Sequence, residues 1–92
     1  MTSYQENHDL LNICTLAPVI PVLVVDETSK AVPLAKALIT GGLRVLEVTL
    51  RTDNALAVIK EMVNNNAEGI IGAGTLLSEN DVYAAKKAGA KF

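Results

Sequence analysis

A βα unit used three times in succession constrains this chain more than any other feature. Residues 19–25 (VIPVLVV), 45–50 (VLEVTL) and 70–75 (IIGAGT) are strand-length runs rich in β-branched residues. Each is followed by cap-forming residues and then by apolar residues at helical spacing. In the first unit Asp26, Glu27, Thr28 and Ser29 offer N-caps, Val32, Ala35, Leu38 and Ile39 form the stripe, and Gly41-Gly42 stops the helix. Pro33 suits a helix start, although a boundary at 28 or 29 sets it slightly deep. The second unit has Thr52 and Asp53 as caps, Leu56, Ile59 and Val63 on one side, and asparagines at 64–66 as its end. The third has Ser78 with Asp81 as an approximate capping box and an Ala-rich helix ending at Gly89, after which Lys91-Phe92 begins a further element. Strand starts near 19, 45 and 69 leave room for a right-handed crossover each time. A repeated βα unit is the signature of a (β/α)₈ barrel or a doubly wound sheet, and eight units at this period need about 200 residues.

Composition narrows the class. Half of the 92 residues are apolar, yet there are only one Phe, two Tyr and no Trp, so the core must rest on aliphatic side chains, as in a parallel sheet covered by helices. A net charge of −2 with scattered Lys and Arg gives no basic stripe for nucleic acid. The lone Cys14 is expected to be a small core residue, and the absence of a basic-then-apolar leader predicts a cytoplasmic protein. The longest apolar run, 17–25, holds two prolines and is about half a membrane span, so no membrane partner is expected. Residues 1–16 read as a polar arm, carrying a solvated His8, followed by a short helix around Leu10, Leu11 and Ile13; residues 17–92 hold the three units.

Side chains alternate along a strand, so Val45, Glu47, Thr49 and Arg51 share one face of the second strand and Leu46, Val48 and Leu50 the other. A mid-strand carboxylate in a covered sheet must be paired, protonated or used. Glu47 therefore belongs either to a structural ion pair with Arg51, to a strand facing water, or to a site. In the third strand, alternation sends Ile71, Ala73 and Thr75 to one face, so that Thr75 is expected on the concave face of the sheet with Glu47, Thr49 and Arg51, while Gly72 and Gly74 allow close approach by a substrate or a packed helix. The G-x-G at 72–74 continues with Leu77 where a dinucleotide fingerprint needs glycine. No cluster specifies a metal site, and no cofactor is expected. Lys30, Lys36, Lys60, Lys86 and Lys87 fall on helices and Lys91 at a strand start, so none is placed as a buried nucleophile.

The stretches PVIPVLVV, AVPLAKALITGGLRVLEVTLRT and IIGAGTLL resemble the opening elements of bacterial 2-keto-3-deoxy-6-phosphogluconate (KDPG) and 4-hydroxy-2-oxoglutarate aldolases, over about 17–92. The resemblance implies a class I aldolase: a trimeric, metal-free (β/α)₈ barrel that uses a lysine Schiff base to split KDPG into pyruvate and glyceraldehyde 3-phosphate. It assigns acid–base catalysis to Glu47 and the grip on the pyruvyl carboxylate to Arg51 and Thr75. The same resemblance puts the Schiff-base lysine in a later K-F-F-P-like strand and the phosphate loops later still, so this stretch alone is expected to be inactive. The alternatives are a noncatalytic partial barrel that self-associates through open edges and a truncated nucleotide-binding domain.

Overall fold

Residues 45–49 alternate around a run with no helix breaker, and they form the middle of a three-stranded parallel sheet in the computed structural model. The structure describes the backbone of residues 3–17, 19–66 and 68–92 and, within these, the side chains from residue 9 onward; His8 lies outside those described side chains. The order along the chain is α1 (Ser3–Leu16), β1 (Val22–Leu23), a 3₁₀ turn (Thr28–Lys30), α2 (Ala31–Thr40), β2 (Val45–Thr49), α3 (Ala55–Asn65), β3 (Ile70–Gly74) and α4 (Glu79–Ala88). The strands lie in the order β1-β2-β3, with Val22 opposite Glu47 and Val45 to Thr49 opposite Ile70 to Gly74. Lys91 donates its backbone N–H to the Ile71 carbonyl (2.8 Å), and Phe92 accepts from Ala73 (2.8 Å), so these residues continue the sheet beyond β3.

One face of the sheet carries the core. Leu46, Val48 and Ile71 pack with Val25, Ala31, Ala35, Val58, Ile59 and Met62, and α3 lies between α2 and α4 in a single layer. A doubly wound sheet needs crossover helices on both faces, so the nucleotide-binding alternative loses its architectural support. The other face carries Val22, Glu47, Thr49, Gly72 and Gly74 and has none of these three helices on it.

Local chemistry explains the boundaries. The 3₁₀ turn delays α2 until Ala31, which brings Pro33 into the first helical turn, where no N–H is needed. Gly42, at φ 105°, closes α2 with the bonds Gly42 N–H to Ile39 and Leu43 N–H to Leu38, the pair that defines a Schellman ending. Ser78 accepts from the Asp81 N–H (3.1 Å) while the Asp81 carboxylate accepts from the Leu77 N–H (3.0 Å), a capping box displaced by one residue.

Four expectations are corrected. Residues 19–25, a continuous β-branched run that suits a strand buried on both faces, do not form one: β1 has two ladder residues, and Val22 and Val24 are 60% and 61% exposed. Pro21 has no N–H to give a ladder, and the helix layer covers only the opposite face. Cys14 is exposed, because α1 buries Ile13 but turns residue 14 away from it. In α3 the buried stripe is Ala55, Val58, Ile59 and Met62 rather than Leu56, Ile59 and Val63, since the helix starts at Ala55. Neither Thr52 nor Asp53 caps it; Asn54 takes the cap position without a side-chain bond to the helix N–H groups, and Thr52 is engaged elsewhere.

Candidate functional site

Glu47 sits at the centre of β2, the central strand, on the face opposite the α2–α4 layer, and it is half-buried. Its side chain runs across to β3 and lies on Gly74. A methyl group built on Gly74 would lie 3.3 Å from Cγ of Glu47, 2.8 Å from Cδ, and in overlap with Oε2. On the same face, a methyl on Gly72 would collide with the ring of Phe92. The room left by the two glycines is thus taken not by a helix but by a carboxylate and a phenyl ring. The alternating glycines were the sequence signal for this trough; Phe92 as its second occupant had no signal beyond being the only phenylalanine.

Arg51 follows β2 in a turn and is exposed. Among the described residues, neither the Glu47 nor the Arg51 side chain has a hydrogen-bond or ion-pair partner, whereas Lys30 and Glu27 pair on the surface (3.6 Å). The structural ion pair Glu47–Arg51 therefore does not form here, and β2 is not an edge strand.

Thr75 is half-buried at the C-terminal end of β3 and has φ 59°, the left-handed region. The expectation that alternation carries Thr75 to the face of Glu47 is corrected. Ile71 and Ala73 stand opposite Leu46 and Val48, on the helix side, so strict alternation would send Thr75 there too. The positive φ ends that alternation at Gly74. Arg51 and Thr75 nonetheless share one end of the sheet, where Leu50 N–H donates to the Gly74 carbonyl (2.9 Å).

A set of polar side chains that sequence reasoning did not find holds this end together. Thr49, only 3% exposed, donates its hydroxyl to the Leu23 carbonyl (3.1 Å), Thr52 to that of Val25 (2.9 Å), and the Asn54 amide to that of Asp26 (2.7 Å). These three side chains thus fasten the end of β2 and the turn after it to the end of β1 and the residues that follow it. Their only trace in the sequence is a run of Thr and Asn that also reads as helix caps.

All six lysines are exposed. Among the described residues no group of three His, Cys, Asp or Glu is arranged to hold a metal ion, and no helix is long and apolar enough to cross a membrane. Two hollows of about 330 and 350 Å³ open on the helix side, beside Lys36 and Glu68 and between α3 and α4, and Glu47, Arg51 and Thr75 line neither.

A parallel α/β sheet with ionisable side chains at the C-terminal ends of its strands is the layout of a β/α enzyme scaffold. The family model for KDPG and KHG aldolase matches residues 10–92. A 2-dehydro-3-deoxy-phosphogluconate aldolase of Pseudoalteromonas atlantica is 51% identical over 81 residues, covering 88% of this chain and 38% of the relative. Two solved structures are similar in fold. The 2-keto-3-deoxy-6-phosphogluconate aldolase of Zymomonas mobilis ZM4 with 3-phosphoglycerate gives a TM-score of 0.86 at 45% identity, over 92% of this chain and 40% of that one. The KDPG aldolase of Legionella pneumophila, with pyruvate captured as a covalent carbinolamine intermediate, gives 0.78 at 44% identity, over 82% and 36%. This chain belongs to the KDPG and KHG aldolase family. It spans 36–40% of the length of these three relatives.

Proposed function

We propose that this chain is the N-terminal part of a class I aldolase that splits KDPG into pyruvate and glyceraldehyde 3-phosphate. Residues 17–92 are the first three units of a (β/α)₈ barrel behind a leading helix. The complete protein is a metal-free cytoplasmic homotrimer. Its Schiff-base lysine and phosphate site lie in later units. The single layer of helices supports the barrel reading, because a barrel has helices only outside and a site at the strand C-termini.

In this reading the lysine amine condenses with the C2 carbonyl of the substrate. The C4 hydroxyl loses its proton, the C3–C4 bond breaks, and its electron pair enters the iminium to leave an enamine. Protonation at C3 followed by hydrolysis releases pyruvate and restores the amine. Glu47 moves these protons through water, and Arg51 and Thr75 hold the pyruvyl carboxylate with a charged fork and a hydroxyl. The observation that carries the proposal is Glu47 itself: a half-buried carboxylate in a central strand, without a side-chain partner among the described residues, on the face opposite the α2–α4 layer.

In the complete protein, Glu47→Gln keeps the shape but cannot exchange a proton, so kcat should fall by about 10²–10⁴. A rate within twofold of the parent would overturn the assignment. None of the six exposed lysines has the desolvated setting that activates an amine. Treating the 92-residue chain with pyruvate and borohydride should therefore leave its mass unchanged, and a stoichiometric adduct would show that the nucleophile is present after all.

A second reading, compatible with the first, concerns this stretch by itself. Val22 and Val24 are 60% and 61% exposed on the uncovered face beside the free edge of β1, so the isolated chain should associate. Sedimentation as a monomer at micromolar concentration would refute it.

A further inference from the structure

Gly74 occupies a position where glycine has no conformational reason to be. It lies within the β2–β3 ladder opposite Thr49, and its φ is not among the positive ones, unlike those of Gly42 and Gly89. Glycine inside a strand weakens it, so what the residue contributes here must come from its missing side chain. The three atoms nearest to that space all belong to Glu47, from Cγ to the carboxylate Oε2. The neighbouring Gly72, on the same face, makes room for an aromatic ring instead, so the two glycines have separate tasks.

We propose that Gly74 is a positioning residue for the aldolase chemistry: its bare Cα is the shelf on which the Glu47 carboxylate rests. The inference builds on the acid–base reading of Glu47. Even a methyl group at 74 would overlap Oε2 and press on Cδ. The backbone of β3 cannot retreat, because the Gly74 carbonyl is held by Leu50 N–H at 2.9 Å. The carboxylate must therefore swing off β3, away from the place where it delivers its proton. A displacement of this size leaves the substrate's carboxylate grip intact and spoils proton transfer, since general acid–base catalysis depends on hydrogen-bond reach.

The test compares Gly74→Ala, Glu47→Gln and the double variant in the complete protein. Gly74→Ala should lower kcat at least tenfold with less than a threefold change in KM, and it should alter the kcat–pH profile. In the Glu47→Gln background the same change should cost less than a further twofold. A Gly74→Ala enzyme with kcat within twofold of the parent, while Glu47→Gln is crippled, would overturn the positioning role alone. Full activity in Glu47→Gln would instead remove the acid–base reading and the positioning claim with it. A stability cycle covers the case in which Gly74→Ala folds poorly. Glu47→Ala should restore most of the melting temperature that Gly74→Ala removes, and no recovery would show that the carboxylate is not what occupies the space.

Discussion

The hydroxyl of Thr49 donates to the backbone carbonyl of Leu23 across 3.1 Å, joining β2 to β1 on the face that carries Glu47. Thr49→Val keeps the volume and deletes this bond at a buried position, so stability should fall by about 0.5–1.5 kcal/mol. A lower urea midpoint with an unchanged slope is the expected signature, and an unchanged midpoint would show that the bond contributes nothing net.

Arg51 is exposed and, among the described residues, unpaired, so its guanidinium is available to a ligand. Arg51→Ala in the complete protein should raise the Michaelis constant for pyruvate in the condensation direction by about tenfold or more, because a charge-assisted bidentate contact is lost. The melting temperature should stay the same. A constant within twofold of the parent would return Arg51 to a role in the turn alone.

Thr75 carries a β-branched side chain at φ 59°, a conformation that costs on the order of 1–3 kcal/mol. Asn tolerates the left-handed region, so Thr75→Asn should stabilise the fold by about 1 kcal/mol. Thr75→Val keeps the strain and loses the hydroxyl, and it should weaken pyruvate binding by about tenfold. Stabilisation by Asn together with unaltered binding in Val would separate the strain from the carboxylate grip.

Gly42 and Gly89 both have positive φ, yet their surroundings differ. A methyl on Gly42 meets nothing within 4 Å, whereas one on Gly89 would come within 2.8 Å of the Val63 side chain. Gly42→Ala should cost about 1 kcal/mol from the backbone alone, and Gly89→Ala should cost about 1–3 kcal/mol more because overpacking is added. Equal midpoints for the two variants would show that α4 and α3 adjust freely.

The sequence disclosed the units and their punctuation: Gly41-Gly42, Ser78 with Asp81, and Gly89 end or start the helices where their chemistry requires. It also put Glu47 on the polar side of β2, since alternation holds while the backbone stays extended. For Thr75 the letters fell short: alternation groups it with Ile71 and Ala73 but does not say which face of β2 that group joins, and the register puts Ile71 and Ala73 beside Leu46 and Val48, while nothing in the letters marks the φ of 59° that ends the pattern. The α3 stripe was misread for a different reason. Its apolar residues cover more than one face, and small Ala55 gave less signal than Leu56, which is 38% exposed. Partners such as the carbonyls of Leu23, Val25 and Asp26 lie 26 to 28 residues from the side chains that reach them, a distance over which local pattern carries no information.

Those three carbonyls decide more than the strength of one corner. A ladder of two residues cannot by itself fix how far β1 is pushed along its neighbour. A slip of one position would turn Leu23 and Val25 out of the core and strip Thr49, Thr52 and Asn54 of their acceptors together. The alignment of β1 is therefore written in the last residue of β2 and the turn that follows it. The earlier strand has no defined seat until the later turn has taken shape.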